Sequence, residues 1–404
     1  MAKAKTTSST APEPDLLAAL DLAMQLMAVP GKSGQEEKIA ALVVRHLRKA
    51  RLDADAIVFD DAHLKSPLGG AIGNLIVSLP GTLRGPRRLL MAHLDTVPLC
   101  VGCRPRREGD FVVSADAATG LGADNRAGCA AILSAALAIL RRKLPHPPLT
   151  FLWAVQEEVG LKGAQHARLA KLNKPKLAFN WDGGPAEKIT VGATGAYRMQ
   201  IEIRGLAAHA GGAPEHGVSA ITIAGLAIAD LQKGGWLGDV HKDGRRGTSN
   251  IGVIEGGAAT NVVTDRLTLR AECRSHDAEF RREILNAFER AFERAAKSVR
   301  NVAGVVGEAC VQSQLDYDAF RLADDEPCVL AAEAAVRAIG GEPLRAVSNG
   351  GLDANWLTAR GIPTVTLGCG QQHIHTASER LDIAAFERAC RIALRLATAT
   401  ETSL

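Results

Sequence analysis

The hydrophobic residues follow one pattern in the first part of the chain and another in its middle section. The first part contains two helical patterns and two buried-strand patterns, at Asp15–Met27 and Gln35–Ala50 and at Gly73–Leu79 and Leu89–Ala92. An alanine-rich helix is predicted from Asp124 to about Arg142. Strands and helices then alternate through Trp181, and this pattern predicts an α/β fold with a largely parallel sheet flanked by helices.

The middle section, residues 193–304, has strands that are apolar on one side only. Tyr197–Ile203 alternates apolar and polar residues with period two. The other elements predicted there are a helix over about Gly217–Gln232, strands near Ser249–Ile254 and Arg266–Cys273, and a charged helix from Ala278 to about Arg300. We therefore expect a smaller α+β domain over 193–304, inserted into a discontinuous first domain of residues 15–192 and 305–404, with residues 1–14 as a disordered tail.

Composition is consistent with two domains that have their own cores. The chain has 404 residues, of which 47% are hydrophobic. The net charge of +4 comes from 48 basic and 44 acidic residues, so the basic excess is small. The short basic clusters at Arg104–Arg107 and Arg141–Lys143 have no interleaved aromatic residues, and we expect no nucleic-acid partner. The eight cysteines are scattered, as is typical of reduced thiols.

Nothing in the hydrophobic pattern predicts a membrane segment. The chain has no run of eighteen apolar residues, and residues 1–14 lack the apolar core of a secretory signal. We therefore expect a cytoplasmic protein without a membrane partner.

Acidic residues and histidines follow the ends of the predicted elements. They are His93 and Asp95, Asp124, Glu157 and Glu158, Asp182, and His373 and His375. Each of them alone is more typical of a helix cap, a turn or a solvated loop. Together, at the ends of successive strands, they form the ligand crevice of an α/β sheet and provide the imidazoles and carboxylates that two adjacent divalent metals require, with zinc as the best match.

The sequence spacing within two pairs of these residues suggests that the members of each pair have different roles. His93 and Asp95 are two apart at the end of a strand, so their side chains share a face, and one can bind metal while the other orients it. Glu157 and Glu158 are adjacent, so they face apart and suit two roles, one as a ligand and one toward an attacking water.

These residues belong to motifs that occur in the same order over about residues 15–395. The motifs are His-Leu-Asp-Thr-Val-Pro at 93–98, Gly-Ala-Asp-Asn-Arg-Ala-Gly at 122–128, Glu-Glu-Val-Gly at 157–160, Trp-Asp-Gly-Gly at 181–184, Gly205-Leu-Ala-Ala-His209, Gly256-Gly-Ala-Ala-Thr-Asn261, Gly350-Gly-Leu-Asp353 and His375-Thr-Ala-Ser-Glu379. In these motifs the chain resembles the dizinc aminoacylase, carboxypeptidase and peptidase T family of metallohydrolases. The motifs at 122–128 and 375–379 are most similar to the peptidase T branch.

The resemblance implies a role for each of these residues. It implies two Zn²⁺ ions per chain, which Co²⁺ or Mn²⁺ could replace, with five ligands: His93, Asp124, Glu158, Asp182 and His375. Asp124 would bridge the two metals, and Asp95 would orient His93. Glu157 would act as the general base on a metal-activated water, and His209 would stabilise the oxyanion. The resemblance also implies a cis peptide bond after Asp124, and it makes the first domain catalytic and the inserted domain a lid and dimerisation domain.

Substrate residues are implied at Asn261, Arg274 and Gly350. The aspartate at position 182 resembles the peptidase branches, whereas several deacylase branches have glutamate there. The chain departs from peptidase T at Asn349, where that branch carries an arginine, so a bidentate clamp for a carboxylate is lost and a tripeptide preference does not follow.

We therefore expect a zinc-dependent exopeptidase, a peptidase T-like aminopeptidase acting on short peptides and forming a homodimer through the inserted domain. The alternatives are a carboxypeptidase or N-acyl amino acid hydrolase with the same dizinc site, and a catalytically silent peptide binder. Cys100-Val-Gly-Cys103 remains open between half of a metal site, a redox pair and a loop at the rim of the site.

Overall fold

The structure is a computed structural model that describes residues 12–399. The described chain forms two compact units. The first unit contains residues 12–192, Arg321–Val347 and residues 352–399, and the second contains Ala193–Phe320 and Ser348–Gly351. Most of the tail expected at residues 1–14 lies outside the described residues.

Helices and strands alternate through the first unit, as expected for an α/β fold. The helices of the chain are α1 (Leu16–Met27), α2 (Glu37–Lys49), α3 (Ala62–Lys65), α4 (Ala123–Arg142), α5 (Lys162–His166), α6 (Ala220–Lys233), α7 (Ala278–Ser298), α8 (Pro327–Ala338), α9 (Asp353–Ala359) and α10 (Ile383–Thr398). The strands are β1 (Ile57–Phe59), β2 (Leu75–Leu79), β3 (Arg88–His93), β4 (Pro105–Glu108), β5 (Phe111–Ser114), β6 (Leu149–Ala154), β7 (Leu177–Trp181), β8 (Lys188–Ala193), β9 (Gly195–Arg204), β10 (Gly238–Lys242), β11 (Arg245–Gly256), β12 (Arg266–Ser275), β13 (Glu308–Tyr317), β14 (Phe320–Arg321), β15 (Leu344–Ser348), β16 (Thr364–Leu367), β17 (Gln371–Gln372) and β18 (Arg380–Asp382).

The central sheet of the first unit has the strand order β1-β2-β6-β3-β7-β16-β8 over most of its width. Its middle strands β6, β3, β7 and β16 are parallel, β1 and β2 are antiparallel to their neighbours, and β8 is antiparallel to β16. The sequence predicted this α/β class. Because the middle strands are apolar on both faces and completely buried, helices must cover both sides of the sheet.

Helix α4 is the buried core helix of this unit. It packs against α1, α10 and strand β3. By length and composition alone it could cross a membrane, but 89% of its apolar window is buried inside the protein. Its apolar character is therefore explained by its position in the core.

A second, small antiparallel sheet has the order β17-β18-β5-β4. The connection between β17 and β18, residues 373–379, contains both His375 and Glu379. Two histidines of this connection, His373 and His375, have left-handed backbone conformations, with φ of 54° and 62°. The small sheet thus holds both ends of the loop that carries His375.

The second unit is an antiparallel sheet of order β10-β11-β12-β9-β13, with α6 and α7 on one face. Alternating residues of β9, such as Met199 and Ile201, are buried in its core, while Arg198 and Gln200 are exposed. This unit extends past residue 304, the boundary expected from the sequence. The reason is β13, which pairs with β9 from Glu308 to Tyr317 and keeps that segment in the second unit.

Candidate active site and metal centre

Three of the five predicted ligands, together with Glu157, lie at the carboxyl ends of parallel strands in the first unit. His93 is the last residue of β3, Glu157 and Glu158 follow β6, and Asp182 follows β7. Parallel strands present their carboxyl ends at the same edge, so residues distant in sequence come together there. Asp124 lies in the first turn of α4, whose backbone is not helical at this residue (φ −82°, ψ 106°), and the Asp124–Asn125 peptide bond is cis.

Asp124 presents its two carboxylate oxygens to two different imidazoles. Its Oδ1 lies 3.2 Å from His93 Nε2, and its Oδ2 lies 3.2 Å from His375 Nε2. Each imidazole has a second carboxylate nearby. Asp182 Oδ1 is 3.9 Å from His93 Nε2, and Glu158 Oε2 is 2.9 Å from His375 Nε2. The residues thus form two donor clusters that share Asp124.

The donor set is suited to divalent cations. His93, Asp124 and Glu158 offer ligand atoms within 4.8 Å of one another, and so do His93, Glu157 and Asp182. Imidazole nitrogens and carboxylate oxygens are the ligands of catalytic zinc sites. Among the described residues, both groups that meet this distance lie here, and neither includes a cysteine.

The pKa shifts of the acids and of His375 also indicate a site for cations. Burial raises the pKa of Glu157 well above its usual value, and nearby Asp182 adds to the rise. Burial and the neighbouring Asp124 likewise raise the pKa of Asp182, and burial raises that of Glu158. Hydrogen bonds with Asp124 and Glu158 raise the pKa of His375 to about 10. The crowded carboxylates therefore favour bound positive charge, which divalent cations would supply.

Asp95 contacts more than the imidazole that the sequence assigned to it. His93 Nδ1 lies 3.0 Å from the main-chain oxygen of Asp95 and 3.4 Å from its carboxylate. The carboxylate accepts the backbone N–H groups of Glu157 and Glu158 at 2.9 and 3.1 Å, and the hydroxyl of Ser33 at 2.6 Å. Asp95 is fully buried and thereby fixes the segment that carries both acids.

His373, the other histidine of the β17–β18 connection, is exposed. Within the described part of the chain its imidazole has no hydrogen-bond or ion-pair partner, whereas His375 contacts two acids of the site. The geometry therefore favours His375 as the histidine that faces the donor clusters.

Cys100 and Cys103 are free thiols in buried positions. Cys100 Sγ lies 3.6 Å from Glu379 Oε2. Burial and the carboxylate of Glu379 raise the pKa of Cys100 far above its usual value. Neither thiol belongs to the groups of candidate metal ligands found among the described residues.

His209 lies on an exposed loop of the second unit, and its ring is held in one orientation. Its Nδ1 accepts the backbone N–H groups of Gly211 and Gly212 at 3.1 and 2.9 Å. In the neutral ring the proton is therefore on Nε2. This arrangement provides an N–H donor on the outer side of the ring.

The predicted substrate residues also belong to the second unit. The Asn261 loop pairs with the His209 loop, because Ala210 N–H donates to the carbonyl of Asn261 at 2.9 Å. Arg274 forms a two-bond ion pair with Glu272, at 2.9 and 3.0 Å, so its charge is already matched within its strand. Gly350 N–H donates to Ser348 Oγ, and Oδ1 of the neighbouring Asn349 lies 3.2 Å from His276 Nε2.

Comparison with known proteins identifies the family. Residues 89–399 match the model of peptidase family M20/M25/M40. The chain is 34% identical over 349 residues to the uncharacterized protein YqjE of Bacillus subtilis, covering 86% of this chain and 90% of that protein. The solved aminopeptidase PepT of Bacillus cereus is 32% identical, with a TM-score of 0.79 over 95% of this chain and 98% of that one.

A solved tripeptidase of Staphylococcus aureus is similar to the same extent. It is 31% identical, with a TM-score of 0.84 over 96% of this chain and 99% of that one. The likeness therefore covers both units and not the metal-binding motifs alone. The chain belongs to peptidase family M20/M25/M40 and is a metallo-exopeptidase of its peptidase T-like branch.

Proposed function

We propose that this protein is a dizinc aminopeptidase that removes the N-terminal residue of short peptides. The observation that carries the proposal is the position of Asp124, whose two oxygens each lie 3.2 Å from a different imidazole. A carboxylate placed in this way can bridge two metals, one beside His93 and Asp182 and the other beside His375 and Glu158.

Zinc, when bound, would lower the pKa of a shared water and polarise the scissile carbonyl. Glu157 would accept a proton from the water as its oxygen attacks the carbonyl carbon. The same carboxyl group would return this proton to the leaving nitrogen as the carbon–nitrogen bond breaks. Burial raises the pKa of Glu157, which makes its carboxylate a stronger base for the first step, while the positive charge of bound zinc would keep that carboxylate ionised. The carboxylate of Asp95 accepts the backbone N–H of Glu157 and would thereby hold Glu157 in place.

His209 would donate its Nε2–H to the oxyanion of the tetrahedral intermediate. Its two backbone contacts at Nδ1 support this role, because they leave the donor on the other nitrogen. Removal of one such donor typically lowers kcat about 10²–10³-fold.

We further propose a homodimer formed through the second unit. Helix α6 exposes Ile221 and Leu226, at 53% and 47% of their surface, and a side chain placed at Gly225 would meet open space. Exposed apolar residues beside a small one suit close packing of the same helix from a second copy.

A cytoplasmic location stays a prediction from the sequence.

The experiment is to incubate the zinc-loaded protein with tripeptides, N-acyl amino acids and folate-type glutamates and to identify the products by mass. Release of the N-terminal residue of the tripeptides is expected. The matched control is Glu157→Gln, which should show little turnover. Release of the C-terminal residue or of the acyl group would replace the proposal by one of the alternative hydrolases, and no turnover of any substrate would favour a silent peptide binder.

A further inference from the structure

The start of α4, which carries Asp124, has no side-chain cap from its N-cap residue. Its N-cap residue is Gly122, which has a left-handed backbone conformation (φ 76°) and no side chain to accept a hydrogen bond. The backbone at Asp124 is not helical, so it lies outside the regular part of the helix. The first backbone N–H groups of a helix need acceptors from elsewhere.

Glu379 supplies these acceptors from a distant part of the chain. Its Oε1 accepts the N–H of Asp124 at 3.0 Å, and its Oε2 accepts the N–H of Gly122 at 2.7 Å. Glu379 is only 2% exposed. Both oxygens of one buried carboxylate are thus directed at the segment that carries the shared acid of the two donor clusters.

The backbone at Gly120 lies close to this carboxylate. A Cβ atom placed at Gly120 would lie 3.0 Å from Cys100 Sγ and 3.2 Å from Glu379 Oε2. The thiol of Cys100 lies against the same oxygen at 3.6 Å. Glycine at position 120 therefore allows the backbone to approach the carboxylate closely.

Glu379 and His375 lie on the same β17–β18 connection, four residues apart. His375 contacts the carboxylate of Asp124, while Glu379 contacts its backbone. One loop thus contacts Asp124 at both its side chain and its main chain. Both oxygens of Glu379 already accept backbone N–H groups, and Glu379 is in neither group of candidate ligands.

We propose that Glu379 is a positioning residue that caps the Gly122–Asp124 segment and thereby sets the orientation in which Asp124 would hold two metals. This inference rests on the proposed dizinc function. It concerns the affinity for metal, so it can be tested without measuring peptide cleavage. Loss of a residue that orients a metal ligand typically lowers metal affinity about 10–100-fold.

The test is zinc affinity, measured on the full chain by competition with a chelator, for wild type, Glu379→Gln and Glu379→Ala. Glutamine has nearly the same shape, but its amide group would place a donor against one of the two N–H donors. We expect zinc affinity to fall about 10–100-fold in Glu379→Gln and further in Glu379→Ala. Thermal unfolding of the metal-free proteins is measured in parallel.

The matched control is Asp277→Ala in the second unit. Asp277 also accepts two backbone N–H groups at a helix start, at 2.9 and 3.0 Å, so its loss should lower the Tm of the metal-free protein and leave zinc affinity unchanged. Wild-type zinc affinity in Glu379→Gln, or an equal loss of affinity in Asp277→Ala, would overturn the proposal. If Glu379→Gln does not fold, Glu379→Asp provides the same comparison.

The outcome is separable from that of the proposed function. If the wild type binds two zinc ions more tightly than the Glu379 variants but cleaves no peptide, the proposed function is refuted and the role of Glu379 stands. If the protein cleaves peptides but the Glu379 variants bind zinc as tightly as the wild type, the proposed function stands and the role of Glu379 is refuted.

Discussion

At the scale of single residues, the two adjacent acids Glu157 and Glu158 have different surroundings. Glu158 contacts His375 at 2.9 Å, whereas Glu157 lies with His93 and Asp182. Asp95 accepts the backbone N–H groups of both acids, so a single buried carboxylate fixes the backbone that carries them. The same kind of side chain can therefore bind metal at one position and transfer a proton at the next.

The division of roles predicts the behaviour of Glu157→Gln. The amide is similar in size and cannot accept the proton from water, so kcat should fall about 10²–10⁴-fold while both zinc ions remain bound. Metal analysis and steady-state kinetics on the same sample test this. A loss of one zinc with the loss of activity would make Glu157 a ligand and reverse the assignment of the two acids.

His375 and His373 give a matched pair on one loop. His375→Ala removes an imidazole that contacts Asp124 and Glu158, so it should cost one of the two zinc ions per chain. His373→Ala should keep both, because the imidazole of His373 is exposed. Zinc content of the two purified variants decides between them, and the opposite pattern would contradict the assignment.

The sequence allowed prediction of the residues that come together at the strand ends, because motif order and strand pattern locate them. It did not indicate what Ser33 does, because a serine hydroxyl that donates to Asp95 has no pattern of its own. Glu379 was visible as the end of a motif, but its two backbone contacts depend on the fold of a distant loop.

At the scale of elements, an ion pair between the buried Glu333 and the partly exposed Arg345 joins α8 to β15. Glu333 on the helix accepts from Arg345 on the strand at 2.5 Å and from Arg337 on the same helix at 3.0 Å. The hydrogen bond from Arg345 is the main reason that the pKa of Glu333 is lowered from 4.5. Because the folded-state pKa is lowered, this contact stabilises the fold above the unfolded-state pKa and is lost as pH falls through the folded-state value.

Glu333→Gln should therefore lower the free energy of unfolding at neutral pH and have little effect in acid. The expected difference at pH 7 is about 0.5–1 kcal/mol, because the arginines are partly exposed and screened by solvent and salt. Urea unfolding of the metal-free proteins as a function of pH measures it. The difference should shrink toward zero below about pH 4. A difference that stays constant with pH would show that the charge of Glu333 does not contribute.

The predictable elements are those with strong periodicity. The helix predicted from Ala278 to about Arg300 is α7, Ala278–Ser298, and its start is capped by Asp277. Strand β13 was not predicted, because its alternating apolar residues Ala309, Val311 and Leu315 are interrupted by Ser313 and are only partly buried, which makes the pattern weak. The small sheet that holds the His375 loop was also missed, since β17 and β18 have only two and three residues.

At the scale of the whole molecule, the candidate ligands and the candidate oxyanion donor belong to different compact units. His93, Asp124 and Glu157 are in the first unit, and His209 is in the second. The proposed homodimer through α6 raises the question of which copy supplies His209 to a given site. Subunit exchange between two inactive variants answers it.

We expect His209 to act in the active site of the partner copy. Glu157→Ala and His209→Ala proteins, each nearly inactive, are mixed and allowed to exchange subunits. A mixed dimer then has one doubly damaged site and one intact site, so random exchange should restore about a quarter of all sites. No recovery, with exchange verified by mass, would mean that His209 acts within its own chain or has no catalytic role.

Crystallography of the zinc-loaded protein at the zinc absorption edge would show whether Asp124 bridges two zinc ions. Two anomalous peaks per chain are expected, one on either side of the Asp124 carboxylate. One peak should contact His93 and Asp182, and the other His375 and Glu158. A single peak, or two peaks that do not share Asp124, would rule out the bridging role of Asp124.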